Sequence, residues 1–262
     1  MTTQTIDLST RRVPPLGGFN LTMLGIELKR MLRNRGTIIF TFVMPVLLYL
    51  IIGSNDTYST DREGSGNVSA YILISMAVYG AVLASTSGGA MVATERALGW
   101  SRQLRLTPLS SVAYIATKAI VSLGFGALSV AAVNVVGALN GKAQMPTHVW
   151  VEAALIAWAG SIVFGAFGLF MGYLLPSENV MQVLGPMLAG LAALGGLWFP
   201  IKADTVLGHI SALTPIYGLA NLARWPLYGG TPHLGWIVNL VVWLAVFVGG
   251  AAWRMSKDTA RV

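Results

Sequence analysis

The chain has 262 residues, 55% of them hydrophobic and only 10% charged, with a net charge of +7 and no cysteine; its mean hydropathy is +0.67. Soluble globular domains carry about a quarter charged residues, so this chain has too little polar surface to face water on all sides. The missing cysteines exclude disulfides and cysteine-based zinc or iron–sulfur sites. The positive charge, gathered in particular loops, fits membrane topology better than nucleic-acid binding.

In chain order, residues 1–18 read as a disordered cytoplasmic tail, polar and broken by Pro14-Pro15 and Gly17-Gly18. Residues 21–35 follow as an amphipathic helix with Asn20 as a candidate cap. Leu21, Leu24, Leu28, Met31 and Leu32 share one face by 3.6-residue spacing, and Thr22, Glu27, Lys29, Arg30 and Arg33 take most of the rest. Such a helix is expected to lie in the inner membrane interface with its cations near lipid phosphates. The plainer alternative is charge that serves only to set topology.

A bilayer core needs about 20 helical residues, and six apolar runs meet that length: 37–53, 69–93, 112–139, 149–175, 180–200 and 234–253. In lipid every backbone group must be satisfied within its own segment, so these runs are predicted to be helices. The first begins near Thr37, after six basic residues, and leads into Gly53-Ser54-Asn55-Asp56 rather than a clear cleavage site, so it is expected to be a retained span and not a signal peptide. With both termini inside, thirteen of the seventeen basic residues face the cytoplasm, as the charge rule for cytoplasmic loops requires. Residues 201–233 are broken by Pro215, Pro226 and Pro232 and carry Arg224. A crossing there would put the basic tail outside, so a re-entrant or interfacial helical hairpin on the outer face is expected. The fold class is therefore an all-α membrane protein: one six-span domain over 19–255 and a short cytoplasmic tail over 256–262.

The loop between spans two and three holds the densest chemistry: Glu95, Arg96, Gly99, Trp100, Arg102, Leu104, Arg105 and Pro108. Leu98, Arg102 and Arg105 share a helical face, and Pro108 should end that helix. A short helix with an exposed aromatic suits a groove on a soluble partner; an ordinary basic loop with an interfacial Trp is the alternative. Elsewhere the chain offers little reactive chemistry. Gly137-Ala138-Leu139-Asn140-Gly141-Lys142-Ala143 is one residue too short for a phosphate-binding loop and lacks its hydroxyl. Lys118 and Glu152 lie near opposite faces, where snorkelling would suffice. No charge is expected at mid-depth, which points to coupling energy from a partner and argues against a strongly ionic substrate. Span four places Ala153, Ala157, Ser161 and Gly165 at four-residue spacing, continued by Gly168 and Gly172, a pattern that lets helices approach closely inside one subunit.

The Glu95–Arg96–Gly99–Leu104–Pro108 pattern resembles the coupling element of type 2 ABC transporter permeases, a family of drug, lipid and polysaccharide exporters. Arg30-Met31-Leu32-Arg33-Asn34-Arg35 with Phe42-Val43-Met44-Pro45 is similar to that family's entry into span one. Gly195-Gly196-Leu197-Trp198-Phe199-Pro200 resembles its span-five exit, and Leu213-Thr214-Pro215-Ile216-Tyr217 with Arg224 its outer re-entrant helices. The resemblance implies a second permease subunit, identical or related, and two ATP-binding-cassette ATPase subunits that carry ATP and Mg, with no cofactor on this chain. It also implies a bacterial cytoplasmic membrane, a role in antibiotic or multidrug export, and a pathway lined by spans two and five where they meet the other protomer. Ser75, Tyr79, Ser85, Thr86, Gln182 and Met187 are then lining candidates. Export of a lipid or lipid-linked glycan, a passive channel, and a non-transporting scaffold or immunity subunit remain as alternatives.

Overall fold

The computed structural model of the chain describes residues 15–99 and 109–259. After a single 3-10 turn at Pro15–Gly18, these residues form eleven helices and one tiny hairpin, joined by loops. Helix α1 (Leu21–Leu32) leads into the first span, α2 (Arg35–Gly53). A short α3 (Asp56–Thr60) and the hairpin β1 (Arg62–Glu63) and β2 (Gly66–Asn67) precede the central helix α4 (Val68–Ala97). Helices α5 (Ser111–Asn140), α6 (Thr147–Gly160), α7 (Ile162–Leu174) and α8 (Ser177–Leu194) follow. The chain closes with α9 (Val206–Ala212), α10 (Pro215–Tyr228) and α11 (Leu234–Thr259).

Five of these stretches are long and apolar enough to cross a membrane: α2, α4, α5, the α6–α7 pair and α11. Apart from the buried α4, their exposed faces are rich in Val, Leu and Ile, as lipid contact requires. Thus the chain is an all-α, multi-pass membrane protein. α4 is the axle, with 83% of its apolar window buried against 11% for α11 at the periphery. α5 and α7 pack on α4, and α11 packs on α7.

One expected helix differs in detail. The 180–200 run is helical only to Leu194; its helix starts earlier, at Ser177, with a more polar opening turn. Gly196 adopts φ +69, and the Leu197 amide donates to the Ala192 carbonyl at 2.9 Å. That wrap-around bond with a left-handed glycine is how helices end, and Leu197–Pro200 therefore leave the helix. Residues 201–233 do form two helices, α9 and α10, bent by 92° at their junction.

In α2, Pro45 has no amide to offer the Thr41 carbonyl one turn earlier. The Ser129 hydroxyl of α5 donates to that carbonyl at 2.6 Å instead. The helix widens into π-turns at Ile39–Val43 and Tyr49–Gly53, on either side of the proline. A backbone group left free in lipid would cost several kcal/mol (roughly 2–7), so Ser129 makes the proline tolerable at this depth.

The small-residue face of the fourth span does what its spacing predicts. A Cβ on Gly168 would sit 2.1 Å from the Thr86 carbonyl, and one on Gly89 2.2 Å from the Gly165 carbonyl. Backbone meets backbone there, fixing α7 on α4.

Candidate functional site

α1, α4 and α5 converge at the end of the bundle that carries most of the cations. Glu27, Glu95 and Lys118 are buried there, at 3%, 1% and 2% exposure. The Lys118 ammonium donates to Glu27 Oε2 at 2.8 Å and to Glu95 Oε1. Arg30 donates to the same Glu95 oxygen at 2.7 Å, and its other terminal nitrogen lies 3.8 Å from Glu27. The Tyr114 hydroxyl donates to Glu95 Oε2. Two carboxylates face two cations, so the cluster is neutral and its members compensate one another in a low-dielectric setting.

This corrects two expectations. Lys118 does not snorkel; it points inward, because two acids on neighbouring helices neutralise it better than a long reach to water. Glu27 is not on a solvated face either. α1 turns Glu27 and Met31 to the bundle, with Leu24 and Leu28 packed on Val121, Phe125 and Ala84. Leu21 and Leu32, expected on the apolar face, are exposed. Asn20 does cap the helix, accepting from the Thr22 amide at 2.7 Å.

Arg96 takes a different partner. Its Nη1 donates to the carbonyls of Gly172 and Tyr173 at 3.2 and 3.1 Å, and its guanidinium lies 5.4 Å from the Tyr173 ring. The last carbonyls of a helix lack intrahelical partners, and Arg96 supplies them for α7. Gly99 (φ +69) terminates α4 in the left-handed conformation that suits glycine. Of the predicted partner-facing residues, Glu95 and Arg96 thus hold the bundle's own helices together. Trp100, Arg102, Leu104, Arg105 and Pro108 lie outside the described residues. The next described anchor is Ser110, whose hydroxyl accepts from the Ala113 amide at 3.1 Å and caps α5.

The predicted lining residues fall on two helices. Ser75, Tyr79, Ser85 and Thr86 are buried within α4's packing, while Gln182 and Met187 are exposed on α8. Ser85 lies 2.9 Å from the Ser161 hydroxyl and 3.2 Å from the Ser122 carbonyl.

At the opposite end, α4, α10 and the Gly195–Ile201 segment enclose a cavity of about 740 Å³. Trp198, Phe199, Pro200, Tyr217 and Arg224, all singled out in the sequence, line it; Pro215 opens α10, where a proline costs no hydrogen bond. Trp198 meets Tyr79 edge to face at 5.9 Å. Arg224 is 5% exposed and donates to Ser75 Oγ at 2.7 and 3.1 Å and to the Gly196 carbonyl at 2.6 Å.

The sequence left one organiser of this end unmarked. Asn67 caps α4, accepting from the Ala70 amide at 2.9 Å, and its amide nitrogen donates to the Ser59 and Lys142 carbonyls at 2.9 and 2.8 Å. An Asn just before a long apolar run is a cap signal; its long-range bonds leave no mark in sequence.

The spans, the ion-paired cluster at one end and the aromatic cavity at the other make up a multi-pass membrane domain. The sequence model of the ABC-2 type transporter family matches residues 20–228, and the chain belongs to that family. It is also 26% identical over 225 residues to "Putative transport permease YvfS" of Bacillus subtilis (strain 168), covering 85% of this chain and 91% of that protein.

Proposed function

We propose that this chain is the permease subunit of an ATP-driven exporter in the bacterial cytoplasmic membrane, with both termini in the cytoplasm. It pairs with a second permease subunit and two ATP-binding-cassette ATPase subunits, which carry ATP and Mg. The cargo is a hydrophobic or amphipathic molecule, drug-like or antibiotic-like, taken from the cytoplasm or inner leaflet.

The observation that carries this reading is the Glu27–Arg30–Glu95–Lys118 cluster. Residues 100–108 connect α4 to α5, and both helices are clamped to α1 immediately beside that connection. Arg96 adds α7 to the clamp. A push delivered to 100–108 by a partner would therefore reach four helices at once through short charged contacts. The family's association with ATPases supplies the partner that would push.

The test is co-purification. The chain, tagged at its C-terminus, is extracted from its native membrane in mild detergent. A near-stoichiometric ATP-binding-cassette ATPase is expected, and it should be lost from a Trp100→Ala, Arg105→Ala double variant that keeps its thermal midpoint. A well-folded chain that never retains an ATPase overturns the reading in favour of a scaffold.

A further inference from the structure

We propose that the far-end cavity is a binding site for an amphiphile with an anionic head, a phosphate or carboxylate, which Arg224 recognises. A buried cation without a counter-charge is costly even after relaxation. Arg224 nevertheless has only neutral partners: the Ser75 hydroxyl, the Gly196 carbonyl and the face of Tyr71, 4.2 Å from its guanidinium. Among the described residues no carboxylate lies within ion-pair distance of it. Glu63, the acid that also lines the cavity, accepts from the Tyr228 hydroxyl at 2.6 Å. The contrast with Lys118, which is met by two acids, is direct.

Those neutral contacts occupy Nε and Nη2 and hold the guanidinium in place, as a recognition site needs. None of the hydrogen bonds uses Nη1. Nη1 therefore keeps its N–H donors for a charge-assisted bond to the oxygen of an anion. The remaining walls include Tyr58, Tyr71, Trp198, Tyr217, Trp225 and Trp236, which offer apolar surface to the body of such a molecule. The volume of about 740 Å³ falls within the range of small-molecule sites. An inorganic anion would leave the aromatic wall unused; a neutral lipid would leave the cation uncompensated. The head could belong to a lipid of the facing leaflet or to the exported molecule itself; only the second of these rests on the exporter reading.

The full-length chain in phosphatidylcholine nanodiscs is titrated with decyl phosphate and, separately, with decyl maltoside, and tryptophan fluorescence is read. Decyl phosphate is expected to bind at least tenfold more tightly. Arg224→Gln should abolish that preference. Because Arg224 also ties α10 to α4, a second variant leaves it in place: Asn221→Asp puts a carboxylate one turn away on α10 and should abolish the preference too. Equal binding of both amphiphiles by the unaltered chain, or a preference that survives both substitutions, overturns the proposal. So does competition by inorganic phosphate as strong as by decyl phosphate. Phospholipid analysis of the chain purified from its native membrane then separates the sources. About one bound anionic lipid, lost in both variants, assigns the site to lipid. Decyl phosphate binding without retained lipid assigns it to the exported molecule. The titration uses the permease alone, so failure to capture an ATPase would sink the exporter reading and leave this result standing.

Discussion

Lys118, Glu27 and Glu95 show how a buried charge becomes tolerable: each ion is worth keeping only while its partners remain. Replacing a single member leaves the others buried and uncompensated, which costs about 3–5 kcal/mol. Lys118→Met is expected to lower unfolding stability by that amount in detergent, and Lys118→Met with Glu27→Gln and Glu95→Gln should recover much of the loss. Equal losses in the single and triple variants would show that the cluster is not coupled. Asp56 and Lys142 form the contrasting case. Their pair is fully exposed at Asp56, and the hydrogen bond and charge of Lys142 hold the Asp56 carboxyl below its ordinary value of 3.8. A depressed carboxylate contributes above its unfolded value and loses that contribution only as pH falls through the folded one. Asp56 should therefore titrate below pH 3.8 by carbon-detected NMR, and Asp56→Asn should leave the thermal midpoint at neutral pH unchanged, since exposed pairs contribute little. An Asp56 carboxyl titrating above that value would contradict the pairing.

Among elements, the α4–α7 contact sets the shape of the bundle. Gly168 approaches the Thr86 carbonyl so closely that one added methyl meets backbone rather than a side chain that could swing away. Overpacking of this kind costs about 1–3 kcal/mol. Gly168→Ala is expected to lose that much, whereas Gly185→Ala on α8, with open space around it, should be neutral or slightly stabilising. Similar midpoints for the two variants would remove the close-approach account. The small-residue spacing was legible in sequence because it repeats with the helical period. The end of α8 was not read correctly, since Gly195-Gly196 lies inside an apolar run and hydropathy alone does not register a left-handed glycine.

For the whole molecule, composition and the apolar runs determined that this is a helical membrane protein with a bent, proline-broken segment between its last two long helices. Those features follow from the solvent: lipid demands apolar side chains and satisfied backbone over a fixed length, and both demands are written locally along the chain. The motifs at 95–108 and 195–224 were likewise local enough to indicate the family. Only the tertiary structure decided that Glu95 and Arg96 grip neighbouring helices, that Lys118 turns inward, and that Ser129 satisfies the carbonyl freed by Pro45. It alone decided that Arg224 faces a cavity in which, among the described residues, no carboxylate lies within ion-pair distance of it. Glu27 and Lys118 stand 91 residues apart and Ser75 and Arg224 149 apart, and pairing over such separations depends on how helices pack, which periodicity within any one of them does not encode.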